Sequence, residues 1–162
     1  MQICKIRLSS LYSFGPDVQE LVIDPDNPKM IQLVGENGTG KTNLMRLVKL
    51  LCYCHTGGVT IKDIAHDVIG SGWGEIYLKS NGDDWKIRME FSKKLKIEIF
   101  KNGSDIAEDY GGLDETKKKL RDVIMDMPFH IFDNTLSLSV HDFKSFLDMK
   151  AKDSRLIRDR IF

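Results

Sequence analysis

The chain has 162 residues in which 24 Lys plus Arg balance 24 Asp plus Glu, with 41% hydrophobic and 30% charged residues, which excludes a disordered tail and fits about one folded domain. Zero net charge argues against binding nucleic acid by bulk electrostatics alone, although a cancelled total can hide a local patch. No stretch nears the ~18 consecutive apolar residues of a membrane span, and the start lacks the charged head and apolar run of a signal peptide. Cys4, Cys52 and Cys54 form no disulfide framework, so a reducing cytoplasm is the expected home.

Cys4, Ile6 and Leu8 alternate with polar residues, and Leu21, Val22 and Ile23 follow, which predicts two half-buried strands joined by a turn around Gly15 and Pro16. After the breakers Asp24 to Pro28, the apolar run Met30 to Val34 predicts a strand covered on both faces. Leu44, Leu47, Val48 and Leu51 then fall on one stripe of a helix running to about Cys54. From Glu75 to Phe100 the period changes to two, through Ile76 and Leu78, then Trp85, Ile87, Met89 and Phe91, then Leu95, Ile97 and Ile99. These are expected antiparallel strands, turning at Asn81-Gly82 and ending at Asn102-Gly103. Asp114 is a candidate cap for a helix carrying Leu120, Val123, Ile124 and Met127 that stops at Pro128. A last strand, about Leu136 to Val140, and a helical Phe143 to Phe162 complete the expected order. The final helix carries no stop signal, so it is expected to be cut short.

Gly35-Glu36-Asn37-Gly38-Thr39-Gly40-Lys41-Thr42 matches G-x-x-x-x-G-K-[ST] between a strand and a helix, the context a phosphate-binding loop needs. Glycines let successive N–H groups curl toward a phosphate, and the helix N-terminus adds partial positive charge. In that role Lys41 reaches the β- and γ-phosphates, Thr42 ligates Mg2+, and Asn43 follows as a further backbone donor. Hydrolysis also needs an acid at a strand end, for which Phe129 to Asp133 is the nearest candidate; an ordinary element edge with a solvated Asp133 explains the same residues.

Other constellations are weaker. Cys52, Cys54 and His55 suggest a metal, but thiols two apart at a helix end diverge, and packed, reduced cysteines fit better. Lys93, Lys94 and Lys96, Lys117 to Lys119 with Arg121, and Arg155, Arg158 and Arg160 could face DNA phosphates; acidic Asp105, Glu108, Asp109, Asp114 and Glu115 sit between them, as in a solvated face.

Ile6 to Phe14, the loop Gly35 to Thr42, and Phe143 to Leu147 followed by Lys150 to Arg155 resemble, in that order, the N-terminal lobe of the SbcC or Rad-fifty type ATPases, DNA-repair relatives of the SMC proteins. The resemblance implies an α/β P-loop NTPase of the ATP-binding cassette type, in which residues 1–162 form a single N-terminal nucleotide-binding lobe with an antiparallel β-subdomain. It implies ATP and Mg2+ as cofactors. As partners it implies the C-terminal lobe of the same ATPase, a second head in a homodimer, an SbcD or Mre-type nuclease, and DNA, in the cytoplasm or on the nucleoid and without a membrane. ATP hydrolysis is expected only once the C-terminal lobe and head pairing are supplied. Two departures stand out. Tyr12 occupies a place where the family often has a basic phosphate contact, which leaves Ser13 as the contact. The family's Q-loop glutamine is missing, since none follows Gln32, which leaves His141 and Asp142 as candidates to hold metal or water. The loop Ile69-Gly70-Ser71 lies where the family passes its chain beside the base and sugar. The alternatives are a compact, self-contained P-loop kinase or GTPase with Asp133 as its acid, and a non-catalytic ATP-binding interaction module.

Overall fold

The computed structural model describes residues 1–23, 33–66, 68–106, 113–125 and 127–135. The expected strand Leu136 to Val140, the terminal helix, and His141 and Asp142 lie outside these residues, as do Met30, Ile31 and Gln32. The chain divides into Met1–Met125 and Asp126–Phe162.

In the first unit, β1 (Gln2–Ser9), β2 (Gln19–Val22), β3 (Gly72–Ser80), β4 (Asp83–Phe91), β5 (Leu95–Lys101) and β6 (Ser104–Asp105) form one sheet in the order β2-β1-β3-β4-β5-β6. Every neighbouring pair is antiparallel. The two-residue period places Ile6, Ile76, Ile87 and Ile99 directly opposite one another across four strands, each at most 2% exposed. Burying each contributes about 1.5–3 kcal/mol. Both Asn-Gly turns adopt positive φ at both residues, the geometry that lets strands fold back with their natural twist: Asn81 and Gly82 at 53° and 82°, Asn102 and Gly103 at 50° and 86°. The second turn adds β6, which was not expected.

Helix α1 (Lys41–Tyr53) packs its buried Leu47, Val48, Leu50 and Leu51 on the isoleucine face. Gly74 makes this approach possible, because a Cβ there would sit 3.1 Å from Leu47 Cδ1 and 3.4 Å from Leu51 Cδ2. The short helix α2 (Ile61–Ile64) leads into a bridge between Leu11 and Ala65. Tyr12 N–H donates to Ile64 O and His66 N–H to Ser10 O, so the loop after β1 is strapped down at both sides of Leu11.

Two sequence expectations are corrected. Asp114 is not a cap but the second residue of α3 (Leu113–Lys119), and the helix continues only as one π turn, Leu120–Ile124. There Met125 N–H reaches Leu120 O, and the wider turn keeps Leu120, Ile124 and Met125 buried together; Met127 lies beyond the helix. Ser80 Oγ donates to Ile124 O, satisfying a carbonyl at the end of that turn. The second correction concerns Leu33 and Val34, expected in a strand covered on both faces. They carry no strand pairing and are 39% and 83% exposed, because no described strand lies beside them.

In the second unit the described element is α4 (Phe129–Thr135), entered through Pro128, whose carbonyl accepts from Ile131 and Phe132 N–H. Asp133 therefore lies within a helix and not at a strand end.

Candidate functional site

The loop Gly35 to Gly40 leads directly into α1. Gly38 and Gly40 have φ of 87° and 92°, a region side chains rarely adopt, and a Cβ on Gly40 would meet Phe14 Cζ at 2.9 Å and Ser13 Oγ at 3.1 Å. Gly38 is thus required by backbone conformation, and Gly40 by both conformation and space. Thr39 Oγ1 donates to Glu36 O at 2.9 Å, closing the loop on itself.

Lys41 folds back over this loop. Its ammonium donates to Gly35 O and to Glu36 O, each at 2.6 Å, and stands 3.5 Å from Thr39 Oγ1. Two short bonds from three N–H groups hold the charge at the loop centre. Helix α1 has Gly40 at its N-cap, no side-chain cap and no acidic residue in its first turn, so its positive pole is not neutralised by its own side chains. Thr42 is exposed at the second helical position, next to that pole.

Ser13 belongs to the same cluster. Asn43 Nδ2 donates to Ser13 Oγ at 3.0 Å, and Arg46 Nη1 donates to Asn43 Oδ1 at 3.3 Å. Tyr12, at φ 52°, tucks its phenol oxygen away from solvent, where it makes no hydrogen bond among the described residues. Burial raises the Tyr12 pKa, against an opposing pull from the Arg46 charge. Ser13, Asn37, Gly38, Thr39, Gly40, Lys41, Thr42 and Asn43 therefore converge on one helix end. Phe14 and Arg46 join them and escaped the sequence reading. Arg46 had a signal, being one helical turn beyond Asn43; Phe14 had none, since its contact depends on the fold of the β1 loop.

Ile69, Gly70 and Ser71 are placed differently. Gly70 turns at φ 69° with its N–H bonded to His66 O, and Ile69 and Ser71 line a cleft of about 400 Å3 with Ser9, Ser10, Pro16, Trp73 and Glu90. No phosphate-loop residue lines this cleft. Cys52 is buried at the end of α1, its thiol pushed up to about 12 by burial, and burial likewise raises Cys54 to about 11. Thiols held protonated are poor metal ligands. Among the described residues no group of three or more His, Cys, Asp and Glu is placed to hold a metal, and no helix is long and apolar enough to cross a membrane.

No protein-family model matches the chain. It is 26% identical over 157 residues to a probable exonuclease subunit 2 of Escherichia phage T5, a match covering 92% of this chain and 24% of that protein. The chain thus spans about a quarter of the length of the curated relative it matches. Among solved structures it superposes, at TM-score 0.66 and 18% identity and over the whole of both chains, on one described for ATP-driven dimerization and DNA-stimulated activation of SMC ATPases. A second superposition, on an SMC head bound to the C-winged helix domain of ScpA, reaches TM-score 0.67 at 17% identity over 99% of this chain and 51% of that one. The chain has the fold of an SMC-type ATPase head lobe. This fold agrees with the one that the resemblance of the three sequence stretches implies. The antiparallel sheet after α1 and the helical setting of Asp133 fit a compact kinase or GTPase poorly.

Proposed function

We propose that this chain is the nucleotide-binding lobe of an ATPase head that works with a nuclease in repairing or recombining DNA, and that it binds MgATP through Gly35 to Thr42. The observation that carries this reading is the Lys41 ammonium pinned by Gly35 O and Glu36 O beside the uncapped start of α1, an arrangement that concentrates positive charge where a phosphate chain would lie. Lys41 would serve the β- and γ-phosphates, the first-turn amides would receive phosphate oxygens, and the exposed Thr42 hydroxyl suits the magnesium shell. Magnesium would supply charge neutralisation between the same phosphates.

In this reading the head is completed by a C-terminal lobe, and the γ-phosphate bound here helps hold two heads together, gating an Mre-type nuclease on DNA ends in the cytoplasm or nucleoid. The similarity to an exonuclease subunit supports the nuclease link. The test is calorimetry of ATP binding by the wild type and Lys41→Ala. Losing charge-assisted bonds should cost about 1.5–3 kcal/mol of affinity, and equal binding by both proteins would reduce the motif to a turn.

A further inference from the structure

The chain Ser13, Asn43, Arg46 does more than tie the β1 loop to α1. Arg46 lies one turn along the helix from Asn43, and helical side chains lean toward the helix N-terminus, so its guanidinium is laid back onto the first turn. Asn43 is held from both sides, giving an N–H to Ser13 Oγ and taking one from Arg46 Nη1. The guanidinium has five N–H groups, and the bond to Asn43 uses one.

The described arginines fall into two pairs, for Arg121 is bonded to the Lys117 carbonyl and, like Arg46, has no carboxylate beside it among the described residues. Arg7 and Arg88 are each paired with carboxylates on the sheet, with Glu20, Glu75, Glu90 or Glu98 within 4 Å. Arg46 is exposed, and among the described residues no carboxylate pairs with it. Its charge adds to those of Lys41 and of the open pole of α1, all within the first two turns of one helix, and like charges so grouped favour an anion. Lys41 faces the loop side, through Gly35 and Glu36; Arg46 comes from the Ser13 side.

We propose that Arg46, oriented by Asn43 and Ser13, is a phosphate-binding residue of this site that acts on the phosphate nearest the nucleoside. The proposal rests on the nucleotide reading above. It separates two roles. Lys41 distinguishes nucleotides by the length of their phosphate chain, whereas Arg46 binds diphosphate and triphosphate alike.

The experiment is titration of the 162-residue chain with ADP and with ATP, each with Mg2+, at two salt concentrations, using the wild type, Arg46→Gln, Arg46→Lys, Asn43→Ala and Lys41→Ala. Arg46→Gln should raise Kd by about tenfold for both nucleotides and flatten the salt dependence. Arg46→Lys should recover part of the loss, because charge is kept while the planar fork is not. Asn43→Ala should weaken both nucleotides by a smaller factor, and Lys41→Ala should weaken ATP more than ADP. Unchanged binding by Arg46→Gln, or a loss confined to ATP, overturns the proposal while leaving the nucleotide reading intact. Failure of the wild type to bind either nucleotide overturns both.

Discussion

Arg88 Nη1 lies 2.7 Å from Glu75 Oε1 on the face of the sheet turned away from α1, and that carboxylate is only 3% exposed. The pair belongs to one continuous row, for Glu20, Arg7, Glu75, Arg88 and Glu98 stand opposite one another on five successive strands with charges alternating. Arg7 Nη1 reaches the other Glu75 oxygen at 3.3 Å, and the Tyr77 hydroxyl donates to it at 3.1 Å. The same register that stacks four isoleucines on one face thus stacks a charge ladder on the other.

Burial alone would raise the Glu75 pKa, but hydrogen bonds from Arg88 and Tyr77, with the charges of Lys86 and Arg88, outweigh it and hold the group below the usual carboxylate range. A carboxylate whose folded pKa is depressed stabilises the fold at all pH above its unfolded value, about 4.3, and loses that contribution as pH falls through the lower folded value. Glu75→Gln should therefore cost about 1–3 kcal/mol at neutral pH, and the gap to wild type should close in acid. Urea unfolding at pH 7 and at pH 3 checks this. An undiminished gap at pH 3 would show that the residue matters for packing and not for charge.

The pattern of the sheet was legible because Ile76 to Ile99 keeps a period of two within each strand, with Asn-Gly at the turn after β3 and after β5, and the loop was legible because Gly38, Gly40 and Lys41 are demanded by backbone and charge. What the residues did not disclose came from contacts distant in sequence. Leu33 and Val34 look like a covered strand by composition, yet their exposure depends on neighbours. The π turn depends on how Leu120 and Met125 meet the core, and a helical window cannot register one inserted residue. Phe129 to Asp133 is short enough to read as strand or helix, and Pro128 decided for helix by accepting the first-turn N–H groups.

A second prediction concerns Gly72, where β3 begins. A Cβ there would lie 2.1 Å from Ser10 O, a backbone atom in the strap that places Ser13 beside Gly40. Ser10 O also accepts from His66 N–H, so it cannot retreat without breaking that bond. Gly72→Ala should destabilise by about 1–3 kcal/mol and weaken nucleotide binding through the displaced Ser13, although the residue is outside the phosphate loop. Gly82→Ala is the contrasting case, with nothing within 4 Å of the added atom and only a strained φ of 82°. It should destabilise without changing nucleotide affinity, as thermal melting and calorimetry on both variants would register.

The last prediction follows from the apolar surface around the phosphate loop. Val34 is 83% exposed, Met45 42% and Leu33 39%, and all three flank the loop or the first turns of the helix it feeds. Val22 on the edge strand β2 is also exposed, and that strand offers an unpaired outer edge among the described residues. Apolar side chains beside an open strand edge mark either a partner surface or an aggregation hazard. If the chain is the N-terminal lobe of a head, a C-terminal lobe covers Leu33 and Val34, and the acid required for turnover arrives with it. The chain alone should self-associate and release negligible phosphate from ATP; co-expressed with its C-terminal lobe it should become monodisperse, hydrolyse ATP, and pair with a second head when MgATP is added. Light scattering after size-exclusion chromatography, with phosphate release measured on the same fractions, decides the matter. A stable monomer of the chain alone, cooperatively melting and unaltered by the second lobe or by MgATP, would show that Leu33 and Val34 are tolerated in water and that the half-head reading is wrong.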